Sequence, residues 1–195
     1  MKKGFALTTL LLVVISLSAC SQSKSAKTST TSSDQAITRS DYNRIKLANI
    51  DSPKAGGASE QAVKRSFGSP ASKNRVTINN GKRKTAIQYS WTKVTPSFKA
   101  SAVTVEFLNG HAVGKGYLTI KNPRFTSSKS LKQIKNGTSY NQVIQKLGNP
   151  NAESKTGSGN LSATITRYIT SKKGNTTTLM FTGNKLQSKN QTSVK

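Results

Sequence analysis

Few residues in this chain can do acid–base or metal chemistry. Against 31 Lys and Arg there are only six Asp and Glu, one His and one Cys. A zinc site needs three or four His, Cys or carboxylate ligands that converge. Asp51, Glu60, Glu106 and Glu153 are scattered, with no two at a motif spacing. His111 is the one side chain that titrates near neutrality unaided, so any Ser or Thr nucleophile would need it as its base. It stands beside Asn109-Gly110, a hairpin-turn pair, where an exposed spacer is the simpler reading. Glu60 suits the first turn of a helix, where the helix dipole favours a carboxylate. The chain reads as a non-enzyme, with no catalytic residue, metal or cofactor expected.

The one cysteine has a different chemistry. Residues 1–20 open with Lys2 and Lys3, continue through an apolar run over 5–17 too short for a membrane span, and close on Leu17-Ser18-Ala19-Cys20. Small residues before a cysteine resemble the lipobox of bacterial lipoproteins, which implies a signal peptide and diacylglyceryl attachment at Cys20. Two acyl chains on one residue give stable anchoring. With a single cysteine, no disulfide forms within the chain. The expected location is the outer face of the bacterial cell membrane, with the membrane as one partner through the lipid.

A formal charge of +25 is the other conspicuous property. Lys82-Arg83-Lys84, Lys93, Lys99 and Lys115 crowd one half, and Lys132, Lys135, Lys146, Arg167, Lys172 and Lys173 the other. Such charge draws a protein to anionic polymers; outward lysines also keep sheet edges from pairing. No nucleic-acid motif accompanies it, so nucleic acid is not the expected partner. Tyr89 and Trp91 read either as core or as an exposed platform. The candidate binding set is Lys84, Tyr89, Trp91 and Lys93, with Arg167 and Tyr168 as counterparts.

Two similar stretches organise the elements that carry these residues. In residues 137–150, Tyr140, Val143, Ile144 and Leu147 form one apolar helical stripe. Ser139 is placed to cap it and Gln142 to close a capping box. Gly148 suits a left-handed exit, and Pro150 stops the helix. Residues 57–70 repeat the pattern 80 positions earlier, with Gly57, Ser59, Val63, Phe67, Gly68 and Pro70 in the same places. Strand patterns follow each copy, which points to an internal duplication. They lie over 75–78, 85–91, 102–108 and 112–118 in the first half, and over 163–170, 177–181 and 185–189 in the second. Asn109-Gly110 and Gly183-Asn184 mark turns, and Gly114 and Gly116 suit bulges.

The expected fold class is α+β, in two tandem modules. Each would pack two short helices on a three- to four-stranded antiparallel sheet. The domains would be a signal peptide with its lipidated cysteine over 1–20, a disordered Ser/Thr/Lys tether over 21–40, a first module over 41–120 and a second over 121–195. The tether is too polar to offset its conformational entropy, and about 20 flexible residues reach on the order of 25 Å.

The capped helices ending in Gly-x-Pro, with strands built on Tyr89-x-Trp91 and Val105-x-Phe107-x-Asn109-Gly110 and with Tyr168 and Phe181 in the second half, resemble the beta-lactamase inhibitory protein family and related small surface lipoproteins. The resemblance spans residues 41–189. It implies helix pairs backing a sheet whose open face binds partner proteins. This chain departs from that pattern in lacking paired cysteines and in being basic where the inhibitors are acidic. The reading is a non-catalytic, lipid-anchored binding protein that contacts anionic wall or envelope components. The alternative is a protein-binding inhibitor or envelope assembly factor that uses the sheet face.

Overall fold

The computed structural model describes residues 35–79 and 81–194. The expected signal peptide, Cys20 and the expected tether up to residue 34 lie outside these residues.

Two helices come first, Arg39–Arg44 (α1) and Glu60–Phe67 (α2), with a short 3-10 turn at Pro53–Ala55 between them. Four strands follow: Ser72–Asn79 (β1), Arg83–Trp91 (β2), Ala102–Leu108 (β3) and His111–Leu118 (β4). Then come Ser128–Lys132 (α3) and Tyr140–Leu147 (α4), and four more strands: Ala152–Thr156 (β5), Ala163–Ile169 (β6), Thr176–Thr182 (β7) and Lys185–Thr192 (β8).

All eight strands join in one antiparallel sheet whose order follows the chain from β1 to β8. The expected pair of separate modules, each with its own small sheet, is therefore corrected. The join is made by β5, which pairs with β4 on one side and β6 on the other. Its sequence, Ala-Glu-Ser-Lys-Thr, has no apolar alternation, so without it β4 and β6 read as the edges of two sheets.

The last residues of the predicted tether are also folded. Ile37 is buried and bridges Val94, while Thr38 caps α1 in a capping box with Asp41. One apolar residue among serines and threonines gave too little signal for this.

Cross-strand partners project to the same side of a sheet, which sorts the residues into two faces. One row of partners runs Trp91, Val103, Tyr117, Glu153, Thr166, Leu179 and Lys189. This face carries the helices. Tyr42, Val63 and Phe67 pack with Tyr89, Trp91, Val105 and Phe107. Leu131, Val143 and Leu147 pack with Tyr168, Leu179 and Phe181. Ser59 and Ser139 each accept a bond from the third helical N–H, as the cap positions require. Each helix start is tied to a hairpin: Glu60 N–H donates to the Gly110 carbonyl at 2.8 Å, and Tyr140 N–H to the Asn184 carbonyl at 3.0 Å.

The exits from α2 and α4 differ in one respect from the expected left-handed cap. Gly68 and Gly148 have φ of 75° and 74°, but ψ of −163° and −175°. This extended, positive-φ region is closed to side chains even more firmly than the left-handed helical one.

Candidate functional site

The sheet's other face carries none of the four α-helices, but the chain ahead of α2 covers part of its first half, where Ala48 and Ile50 join Ile78, Ala86, Leu108 and Val113 in a third buried core. Three parallel rows of side chains cross it. One runs Ser72, Ser90, Thr104, Gly116, Ser154, Ile165, Met180 and Ser188, a residue from every strand. The second runs Asn74, Gln88, Glu106, Gly114, Thr156, Ala163, Thr182 and Lys185. The third includes Leu118, Ala152, Arg167 and Thr178. Small and hydroxyl residues dominate, so a partner could approach the backbone closely. Ile165 and Met180 are partners in β6 and β7, half-buried and set among hydroxyls.

Glu106 marks the first half of this face. Its side chain lies over Gly114, where a Cβ would meet the carboxylate, and Gln88 Nε2 donates to Oε1 at 3.1 Å. Burial raises its pKa above the usual glutamate value, and the Gln88 bond opposes that only in part. Gly116 is confined by the Glu153 carbonyl, 2.8 Å from where its Cβ would stand. Neither glycine makes the register shift, which falls at Glu106/Phe107. Their role is to leave room.

Under the helices lies a second polar group. Glu153, 4% exposed, accepts from Tyr42 Oη at 2.9 Å and from Tyr140 Oη. Lys155 Nζ stands 3.5 Å from it. Burial, then the Glu153 charge, drives the Tyr42 and Tyr140 hydroxyls well above the ordinary tyrosine value. Tyr117 is pushed up to about 12 by burial and then by the same carboxylate. Lys115, 8% exposed, donates to the carbonyls of Tyr42, Asn43 and Ile45 at 2.9, 3.2 and 2.9 Å, closing the end of α1. Burial, followed by repulsion from Lys155, lowers its pKa to about 8. Lys189 does the same for α3 through the carbonyls of Leu131, Lys132 and Ile134. These groups order the helices.

The residues predicted to bind are not brought together. Tyr89, Trp91 and Tyr168 are 3%, 2% and 0% exposed beneath the helices, so the exposed-platform reading is corrected. Trp91 Nε1 donates to the Gly68 carbonyl at 3.0 Å and Tyr168 Oη to the Gly148 carbonyl at 3.1 Å. Each aromatic thus fastens a helix exit. Lys84 is held by Asp51 at 2.7 Å and the Ile50 carbonyl at 3.0 Å. Lys93 lies beyond the end of β2, exposed, and its carbonyl accepts from Ile37 N–H at 2.9 Å. Arg167 is on the face opposite the α-helices and its neighbour Tyr168. His111 Nδ1 lies 3.2 Å from the Gly57 carbonyl. Among the described residues no three His, Cys, Asp or Glu gather as metal ligands, and no helix is long and apolar enough to cross a membrane.

The open-face rows and Glu106 were missed at the sequence level. Their signal was the polar half of each strand's alternation, visible in 86, 88 and 90 but not followed across strands.

Comparison with known proteins adds a family and a fold. The family described as "Domain of Unknown Function with solved-structure structure (DUF3862)" matches residues 34–194. A solved structure of a proposed beta-lactamase inhibitor protein from Streptococcus mutans superposes with a TM-score of 0.58 at 22% identity, covering 80% of this chain and 96% of that one. The shared fold agrees with the inhibitory-protein resemblance of the helix and strand motifs. No curated protein matches the sequence.

Proposed function

The chain belongs to the DUF3862 family, and from that premise we propose that it is a non-catalytic protein that binds a partner protein on the face of its sheet opposite the α-helices. The observation that carries this reading is the set of three cross-strand rows of small and hydroxyl residues, with Ile165, Met180 and Glu106 among them. Eight strands at ordinary spacing make a surface roughly 34 Å wide. That is enough for the about 800 Å² that one partner of a standard complex buries. The Streptococcus mutans protein of the same fold is described as an inhibitor, which favours a protein over a polymer as occupant of the face. With a charge of +25, the complementary partner surface is acidic. Attachment through Cys20 places the protein outside the cytoplasm, on the outer face of the membrane.

The test uses the full chain carrying a photocrosslinking residue in place of Ser154, exposed on the open face, or of Gln145, exposed on α4. The Ser154 position is expected to trap one protein from envelope extracts, and Ile165→Glu/Met180→Glu to abolish the adduct. Equal trapping from both positions, or an adduct that survives the double substitution, overturns the reading. The second reading, adhesion to an anionic wall polymer, is favoured by the net charge. It predicts retention that falls steeply with salt and ignores the face substitutions.

A further inference from the structure

A cleft of about 270 Å³ lies where the two halves of the chain meet, away from the open face. Arg39, Phe98, Lys99, Thr119, Asn122, Arg124, Asn149 and Asn151 are among the residues that line it, and no carboxylate is among them. The three cations among them share this lining with no anion. The other described arrangements differ: Arg44, Lys64 and Lys84 each pair with a carboxylate.

Two of the three cations are positioned by their surroundings. The Arg39 guanidinium stands 4.2 Å from the Phe98 ring centroid and 4.5 Å from that of Tyr117. One N–H reaches the Phe98 carbonyl at 3.4 Å, and the guanidinium also interacts with the Tyr117 side chain. Stacked on its faces, a guanidinium keeps its N–H groups for a ligand in its own plane. Arg124 crosses Gly148, where a Cβ would meet its Nη1. Lys99 and Asn122 hold positive φ of 59° and 50°, which turns both tight loops toward the cleft. Thr119 Oγ1 fastens the first of these loops through the Lys99 carbonyl at 2.7 Å.

We propose that this cleft binds a phosphoryl group, with Arg39, Lys99 and Arg124 as its charged donors and the Asn122 and Asn149 amides beside them. A doubly charged tetrahedral oxyanion suits two guanidinium forks and an ammonium better than a planar carboxylate does. Gly148 itself holds positive φ with extended ψ, which keeps this position free of a side chain where Arg124 crosses it.

The experiment titrates the full chain, in a neutral detergent, with inorganic phosphate and follows the backbone amides by NMR. Saturable shifts are expected at Lys99, Asn122 and Asn149. Lys99→Gln/Arg124→Gln spares the stacked Arg39 and is expected to weaken phosphate binding about tenfold or more. Lys172→Gln/Lys173→Gln removes the same charge from an exposed turn and should change it less than about twofold. Equal weakening by the two pairs, or acetate matching phosphate at the same amides, overturns the proposal. A parallel arm measures binding to phosphatidylglycerol vesicles. If the cleft substitutions release the vesicles too, the phosphoryl group is a lipid headgroup; if only phosphate is lost, it belongs to a soluble ligand.

Discussion

Tyr42 and Tyr140 donate to the same carboxylate, that of Glu153. One hydroxyl comes from α1 and the other from α4, and the acceptor lies on β5 between them. A single buried side chain thus holds both helix layers to the strand that makes the sheet continuous. Tyr42→Phe and Tyr140→Phe should each cost about 1.5–3 kcal/mol, the range for hydrogen bonds to a charged group. In urea denaturation the double substitution should differ from the sum of the two, because they share one acceptor. Strict additivity would show that the two bonds act independently.

Gly68→Ala and Gly148→Ala should each destabilise by about 1–3 kcal/mol, since both glycines hold positive φ with extended ψ. At Gly148 the new methyl also displaces the flexible end of Arg124, which adds little. A thermal melt of each variant beside the parent chain reads the loss.

Glu106 gives stability a pH dependence of known sign. Burial raises its folded pKa above the ordinary glutamate value of 4.5, so between that value and its folded pKa the native state binds more protons than the unfolded state. Stability from this group therefore falls as pH rises through that window. Glu106→Gln keeps an acceptor for Gln88 and should flatten the slope there. An unchanged slope in denaturation curves across that window would assign the effect elsewhere.

Cys20→Ser should leave the protein either uncleaved at this site or shed, with no acyl label. Incorporation of labelled lipid by this variant would end the lipidation proposal.

Much of the local structure was legible in the sequence because it rests on local chemistry. Ser59 and Ser139 cap helices, Asn109 and Gly110 take positive φ, and β6 and β7 alternate in burial. What could not be read depended on partners far along the chain. Glu153 appears in sequence as a lone carboxylate in a polar stretch, and its meaning lies in Tyr42, 111 positions away. Lys115 appears as one more surface lysine, yet it closes α1. For Tyr89 and Trp91 the sequence allowed both core and exposed platform, since alternation alone does not say which face the helices cover. The proposed binding face was hidden for the same reason: it is made of serine, threonine and glycine, the residues a sequence pattern passes over.

The strand order, with every neighbour in the sheet also a neighbour in the chain, sets how the molecule can reach its native state. Hairpins close between residues a few positions apart, and such contacts cost little loop entropy. The sheet can therefore zip from β1 to β4 and from β6 to β8 as two local events. The β4–β5 pairing must wait, because α3 and α4 intervene between Leu118 and Ala152. The same step brings Glu153 beneath Tyr42. The slow step of folding is then the docking of two preformed halves, and substitutions on β5 should retard it while those within either hairpin mainly hasten unfolding.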